Sequence, residues 1–109
     1  MRFMLFICHD DAFIRPAQIQ HEIQSWIDEM DARGIRLFGT ELEPDRSALT
    51  ITTVDEELVA MRGSFTDTRT QIIGYEVVEA VDEAEAIEIA AQHPMSTWGT
   101  IEIRAFAGE

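Results

Sequence analysis

The chain reads as an α+β protein, a split βαβ sheet with two helices on one face, doubled with a second copy into a dimeric α+β barrel. Three observations predict this. Stretches of two-residue alternation and of three- to four-residue periodicity follow one another as strand, helix, strands, strand, helix, strand. Right-handed crossovers convert that order into one sheet with both helices on the same side. The opening strand and the long strand over residues 71–80 carry apolar groups on both faces, Met4 and Phe6 in one, Ile72 and Val78 in the other. The face away from the helices therefore needs a cover, and a second copy of the sheet is the economical one.

Each element has its own local reason. Residues 2–8 are apolar at odd and at most even positions, which suits a central strand covered on both sides. Pro16 is placed to open a helix where its missing N–H costs nothing. Ile19, Ile23, Trp26, Ile27 and Met30 then form one apolar stripe, and Gly34 ends the helix in a left-handed conformation. Residues 35–39 form a short strand, broken over 40–47 by Pro44 and Asp45. Residues 48–54 are β-branched and alternating, and Asp55-Glu56-Glu57 turns them into a segment over 58–61.

In the strand over 71–80, Ile73, Tyr75 and Val77 share a face opposite Ile72, Gly74 and Val78. Asp82 with Glu85 makes a capping-box start for a second helix running to about Gln92, ended by His93-Pro94. Ile101, Ile103 and Ala105 alternate with Thr100, Glu102 and Arg104 in the last strand. Residues 1–109 make a single domain, without repeats or linkers.

Composition removes several functions. The net charge is -13, and all eight basic residues are arginine, so the chain repels phosphate backbones and nucleic acid is excluded as a partner. No apolar run reaches eighteen residues, so no membrane span is expected. The apolar opening is too short for a signal peptide. A lone Cys8 forms no internal disulfide and fits a cytoplasmic location. The three histidines show no ligand spacing with cysteine or acids, so no metal and no cofactor is expected.

Residues 62–75, Arg-Gly-Ser-Phe-Thr-Asp-Thr-Arg-Thr-Gln-Ile-Ile-Gly-Tyr, set a Gly-containing polar turn before an alternating strand. This run resembles the signature of the DGPF proteins, part of the YCII-related group. The opening strand, the passage over 34–44, the acidic helix from Asp82 and the closing Gly99-Thr-Ile-Glu-Ile-Arg-Ala are similar to other parts of that family. The resemblance implies a small dimeric ferredoxin-like domain with a cleft suited to a ligand or a reaction, sometimes encoded beside extracytoplasmic-function sigma factors. Two departures stand out. The name motif keeps Gly63 and Phe65 but has Arg62 and Ser64 where the family has Asp and Pro. Related proteins often carry Arg-Pro-x-His at the first helix, with that His assigned to work beside an Asp; here the residues are Arg15-Pro16-Ala17-Gln18. Gln18 exchanges no proton near neutral pH, so that role does not carry over.

Candidate chemistry gathers at two places. Cys8-His9-Asp10-Asp11 ends the first strand, where His9 and Asp11 share a face and an acid can orient an imidazole. His9 with Asp10 and Asp11 is thus the acid–base candidate, against a solvated strand end; Cys8 and His9 point to opposite faces and do not pair. The signature loop offers Asp67, Arg69 and Gln71, and the last strand Glu102 and Arg104. Arg69 has the planar fork to hold an anionic group on a ligand, and the same residues equally suit a network holding the loop or a dimer seam. His93 is expected to compensate a helix C-terminus as a cation.

Two functions follow. The first is a cytoplasmic homodimer that binds or transforms a small molecule in a cleft by the sheet. The second is a non-catalytic dimeric interaction or regulatory module.

Overall fold

The computed structural model describes residues 1–65 and 69–109. A four-stranded antiparallel sheet has the order β2-β5-β1-β6, with β1 at Arg2–Asp10, β2 at Arg36–Glu41, β5 at Thr70–Glu79 and β6 at Thr100–Ala105. Helix α1 (Ile19–Ala32) connects β1 to β2, and α2 (Glu83–Ala91) with a short α3 (Met95–Trp98) connects β5 to β6. Phe3, Leu5 and Ile7 of β1 meet Trp26 and Met30 of α1 and Ala86 and Ile89 of α2 in one buried cluster, so both longer helices cover the same face. Among the described residues the chain is α+β with an antiparallel sheet and three α-helices, compatible with a ferredoxin-like fold. Full burial of a side chain such as Leu5 or Ile89 contributes about 2 kcal/mol each relative to exposure.

Local signals explain the helix ends. Gly34 takes φ 71°, its N–H donates to the Asp31 carbonyl, and the Ile35 N–H donates to Met30. These two bonds close a Schellman motif on α1. The Asp82 carboxylate accepts from the Glu85 N–H at 2.9 Å, and the Glu85 side chain accepts from the Val81 N–H at 3.3 Å. The reciprocal bond thus reaches one residue further back than in the usual capping box. Pro16 corrects the expectation: α1 begins at Ile19, and Pro16 instead offers its carbonyl to the Ile19 N–H across a preceding turn.

Two irregularities change which side chains face the helices. Between Ile7 and Cys8 the β1–β5 register shifts, Ile7 opposing Gly74 and Cys8 opposing Ile72. Ile73 is the extra residue and packs against the buried cluster, while Ile72 is turned out and exposed. Ile72 thus lies on the face away from the helices and Ile73 on the helix side, as expected. Val78, expected beside Ile72, instead joins the helix-side cluster, because the bulge puts the two on opposite faces, whereas Val77, cross-strand from Met4 and Phe38, lies outside that cluster. In β2, Arg36 opposes Val78 and Phe38 opposes Val77, leaving Leu37 as the extra residue. Such bulges re-aim side chains, and here Arg36 takes the helix-facing place that alternation gives Leu37.

Strands β3 (Leu49–Val54) and β4 (Glu57–Arg62) form a separate two-stranded hairpin after a 3-10 turn at Asp45–Ser47. Its tip places Asp55 and Glu56 at φ 50° and 69°, the pair of positive angles that a two-residue hairpin turn demands. The radius of gyration is 15.7 Å, against about 13 Å for a compact domain of this length.

Candidate functional site

A cavity of about 230 Å³ lies between the N-terminal half of α1 and the β2-β5-β1 part of the sheet. Its walls are mostly apolar: Ile7, Phe13, Ile19, Ile23, Ile27, Ile73 and Met95. The α1 stripe supplies three of these, Ile19, Ile23 and Ile27, at four-residue spacing, and the β5 bulge supplies Ile73. The β2 bulge brings in Arg36. Both irregularities in the sheet thus deliver a residue to this one hollow.

The polar floor is an ion pair. Arg36 Nε donates to Glu76 Oε2 at 2.6 Å, Nη2 donates to the Gly39 carbonyl at 3.0 Å, and Nη1 reaches Asp31 at 3.4 Å. Glu76 is only 5% exposed. Burial pushes its carboxyl up, and the hydrogen bond and charge of Arg36 pull back only partly. Burial also opposes the Arg36 charge, yet Glu76 and Asp31 together hold that guanidinium above its usual range. Removing one partner of such a pair costs roughly 3–5 kcal/mol, because the other charge is left buried alone.

Glu76 spends one oxygen on Arg36. No donor among the described residues reaches Oε1, and no buried side-chain oxygen is both sealed and unpartnered, so Oε1 opens on the cavity. His93 closes one end of the hollow and is 3% exposed. Its Nδ1 accepts from the Met95 N–H at 3.0 Å, which places the ring proton on Nε2, and Trp26 packs edge-on at 4.7 Å. Burial lowers its pKa to about 4, so the ring is neutral near pH 7. The expected helix-end cation is thereby corrected: desolvation outweighs what a helix terminus offers a charged imidazole. At the mouth, Arg15 Nη2 donates to Gln20 Oε1 at 2.6 Å and Nη1 lies 3.9 Å from Glu41.

The residues singled out from sequence fall elsewhere. The His9 ring stacks on Phe13 at 4.4 Å, and its Nδ1 lies 2.9 Å from the Asp10 carbonyl. The Asp10 carboxylate accepts from the Ala12 N–H, which pins the turn after β1. Asp11 accepts from Gln71 at 3.5 Å, and His9 is cross-strand from Gln71, so these three are neighbours. No described bond joins His9 to a carboxylate. Arg69 directly precedes β5, and Asp67 lies outside the described residues. Glu102 and Arg104 form an exposed pair at 3.9 Å on the sheet face away from the helices. Cys8 is buried, and burial, with the negative charge of Glu102, pushes its thiol up, which suits a packed residue and not a nucleophile. Gln18 occupies the N-cap of α1 with no side-chain cap bond.

Among the described residues, none of these candidates lines the cavity. One signal for Glu76 was present in the sequence: it falls in phase with Gly74 and Val78, an acid on a core-facing stripe that demands a buried cation. His93 gave no such periodic sign.

The family model of the YCII-related domain matches residues 1–107. No curated protein matches the chain.

Proposed function

Because the chain belongs to the YCII-related domain family, we propose that it serves as a homodimeric binding domain for a small molecule held between α1 and the sheet. The observation that carries this reading is the cavity itself, apolar on its walls, with a buried carboxylate presenting a free oxygen from its floor. Pockets of this make-up bind small ligands by apolar contact and use few polar groups for orientation. The proposal places the ligand here and not at the His9 end of β1, where the imidazole is stacked on Phe13 and the acids serve the turn and Gln71.

The homodimer is supported by two uncovered surfaces. Phe38 and Ile72 are exposed on the side of the sheet away from the helices, beside Met4, Phe6 and Tyr75. Leu49, Ile51 and Leu58 share one face of the β3–β4 hairpin and are exposed as well. A second copy covering both surfaces satisfies them together. The same hairpin favours a second reading, an interaction module whose dimer presents a docking surface for another protein.

The test is an NMR titration of the intact protein with a panel of small neutral, anionic and cationic aromatic and aliphatic compounds. Shifts at the amides of Ile23, Thr40 and Gly74 are expected with some members, and Ile23→Trp, which fills the hollow, should abolish them. A panel that moves no cavity amide overturns the reading.

A further inference from the structure

Resting on that reading, we infer that the cavity selects a small apolar molecule bearing a neutral hydrogen-bond donor, an alcohol or phenol, and rejects carboxylates of the same shape. The cations at the site are already committed. All three Arg36 nitrogens have partners in Glu76, Asp31 and the Gly39 carbonyl. Arg15 is engaged by Gln20 and lies beside Glu41. The group on offer is the second oxygen of Glu76, an acceptor with an open side. A carboxylate entering here would meet that like charge between mostly apolar walls, on a chain of net charge -13.

Size sets the rest of the class. A dry hollow of about 150 Å³ accommodates benzene. One of about 230 Å³ adds room for a short substituent reaching the floor. The seven apolar wall residues suit an aromatic or branched body. His93 also lines the hollow, with Nδ1 taken by the Met95 N–H.

Three probes of one shape make the test: benzyl alcohol, toluene and benzoate, titrated into the intact protein and followed at the cavity amides. Benzyl alcohol should bind about tenfold more tightly than toluene, the margin for a hydrogen bond to a charged acceptor. Benzoate should bind more weakly than either. In Arg36→Met/Glu76→Leu, which removes the pair without stranding a charge, the preference for the alcohol over toluene should vanish. Benzoate equal to or tighter than the alcohol, or toluene equal to it, overturns the selectivity while leaving a binding cavity in place. If none of the three moves a cavity amide while other compounds do, the alcohol or phenol class is wrong. If no compound of any class does so, the site itself is wrong.

Discussion

Gly39 stands directly opposite Glu76 across the β2–β5 ladder, and a Cβ at position 39 would overlap the Glu76 carboxylate. The absence of a side chain on β2 is what lets an acid lie flat on the sheet beneath α1. The Gly39 carbonyl also takes the Nη2 donor of Arg36, so one residue makes room for the anion and helps to orient its cation.

Gly39→Ala should therefore be costly for a methyl group. The added carbon must displace Glu76 or part the strands, and either breaks the bond to Arg36. A loss of about 3 kcal/mol in urea unfolding is expected, from overpacking and a disturbed buried pair. Gly34→Ala is the control. Its Cβ meets nothing within 4 Å, and only the φ of 71° is strained, so it should lose roughly 1 kcal/mol. A smaller loss at position 39 than at position 34 would contradict the packing of Glu76.

The pH dependence of stability should carry the mark of His93. Its folded pKa of about 4 lies below that of an unfolded histidine, near 6.5. A depressed value means that the unfolded chain takes the proton first as pH falls. Stability from this group is complete above about pH 6.5 and is lost progressively down to about pH 4. The gap corresponds to roughly 3 kcal/mol. Glu76, whose pKa is raised mainly by burial, works in the opposite sense in acid, so the comparison must isolate the imidazole. Unfolding of the natural chain and of His93→Gln should be measured at pH 7, 5.5 and 4.5. The stability difference should shrink with acidity, and a difference independent of pH would show that His93 is not held neutral.

How much of this was legible beforehand depends on the range of the interaction responsible. The α1 stripe, the Gly34 terminus and the Asp82 cap are set by residues within a turn or two of one another, and all three stand in the structure. The central place of β1 followed from its apolar character on both faces. What alternation misassigned was Val78, grouped with Ile72 although the bulge in β5 puts the two on opposite faces. A bulge is a property of two strands in register, and neither strand alone announces it. His93 differs from its expectation for a related reason: it is buried in tertiary contact, Trp26 of α1 among its neighbours. A cleft by the sheet was expected, but not the residues that line it, since the hollow is bounded by α1 and three strands of the sheet.

The hairpin yields the last expectation. A two-stranded ribbon is marginal in water unless one face is packed, and this one joins no third strand among the described residues. Ile51 and Leu58 are 66% and 69% exposed in the single chain, yet stand on the same face as Leu49 and Ala60. If a second copy covers that face, Ile51→Glu with Leu58→Glu places two charges in an apolar seam. The dimer should then weaken by at least about a hundredfold. The core under α1 and α2 is remote from both positions and should keep its circular dichroism and its cavity shifts. Sedimentation at micromolar concentration checks this directly. A natural chain that sediments as a monomer, or a doubly substituted one that still dimerises, would remove the second copy from the hairpin and leave its apolar face to a different partner.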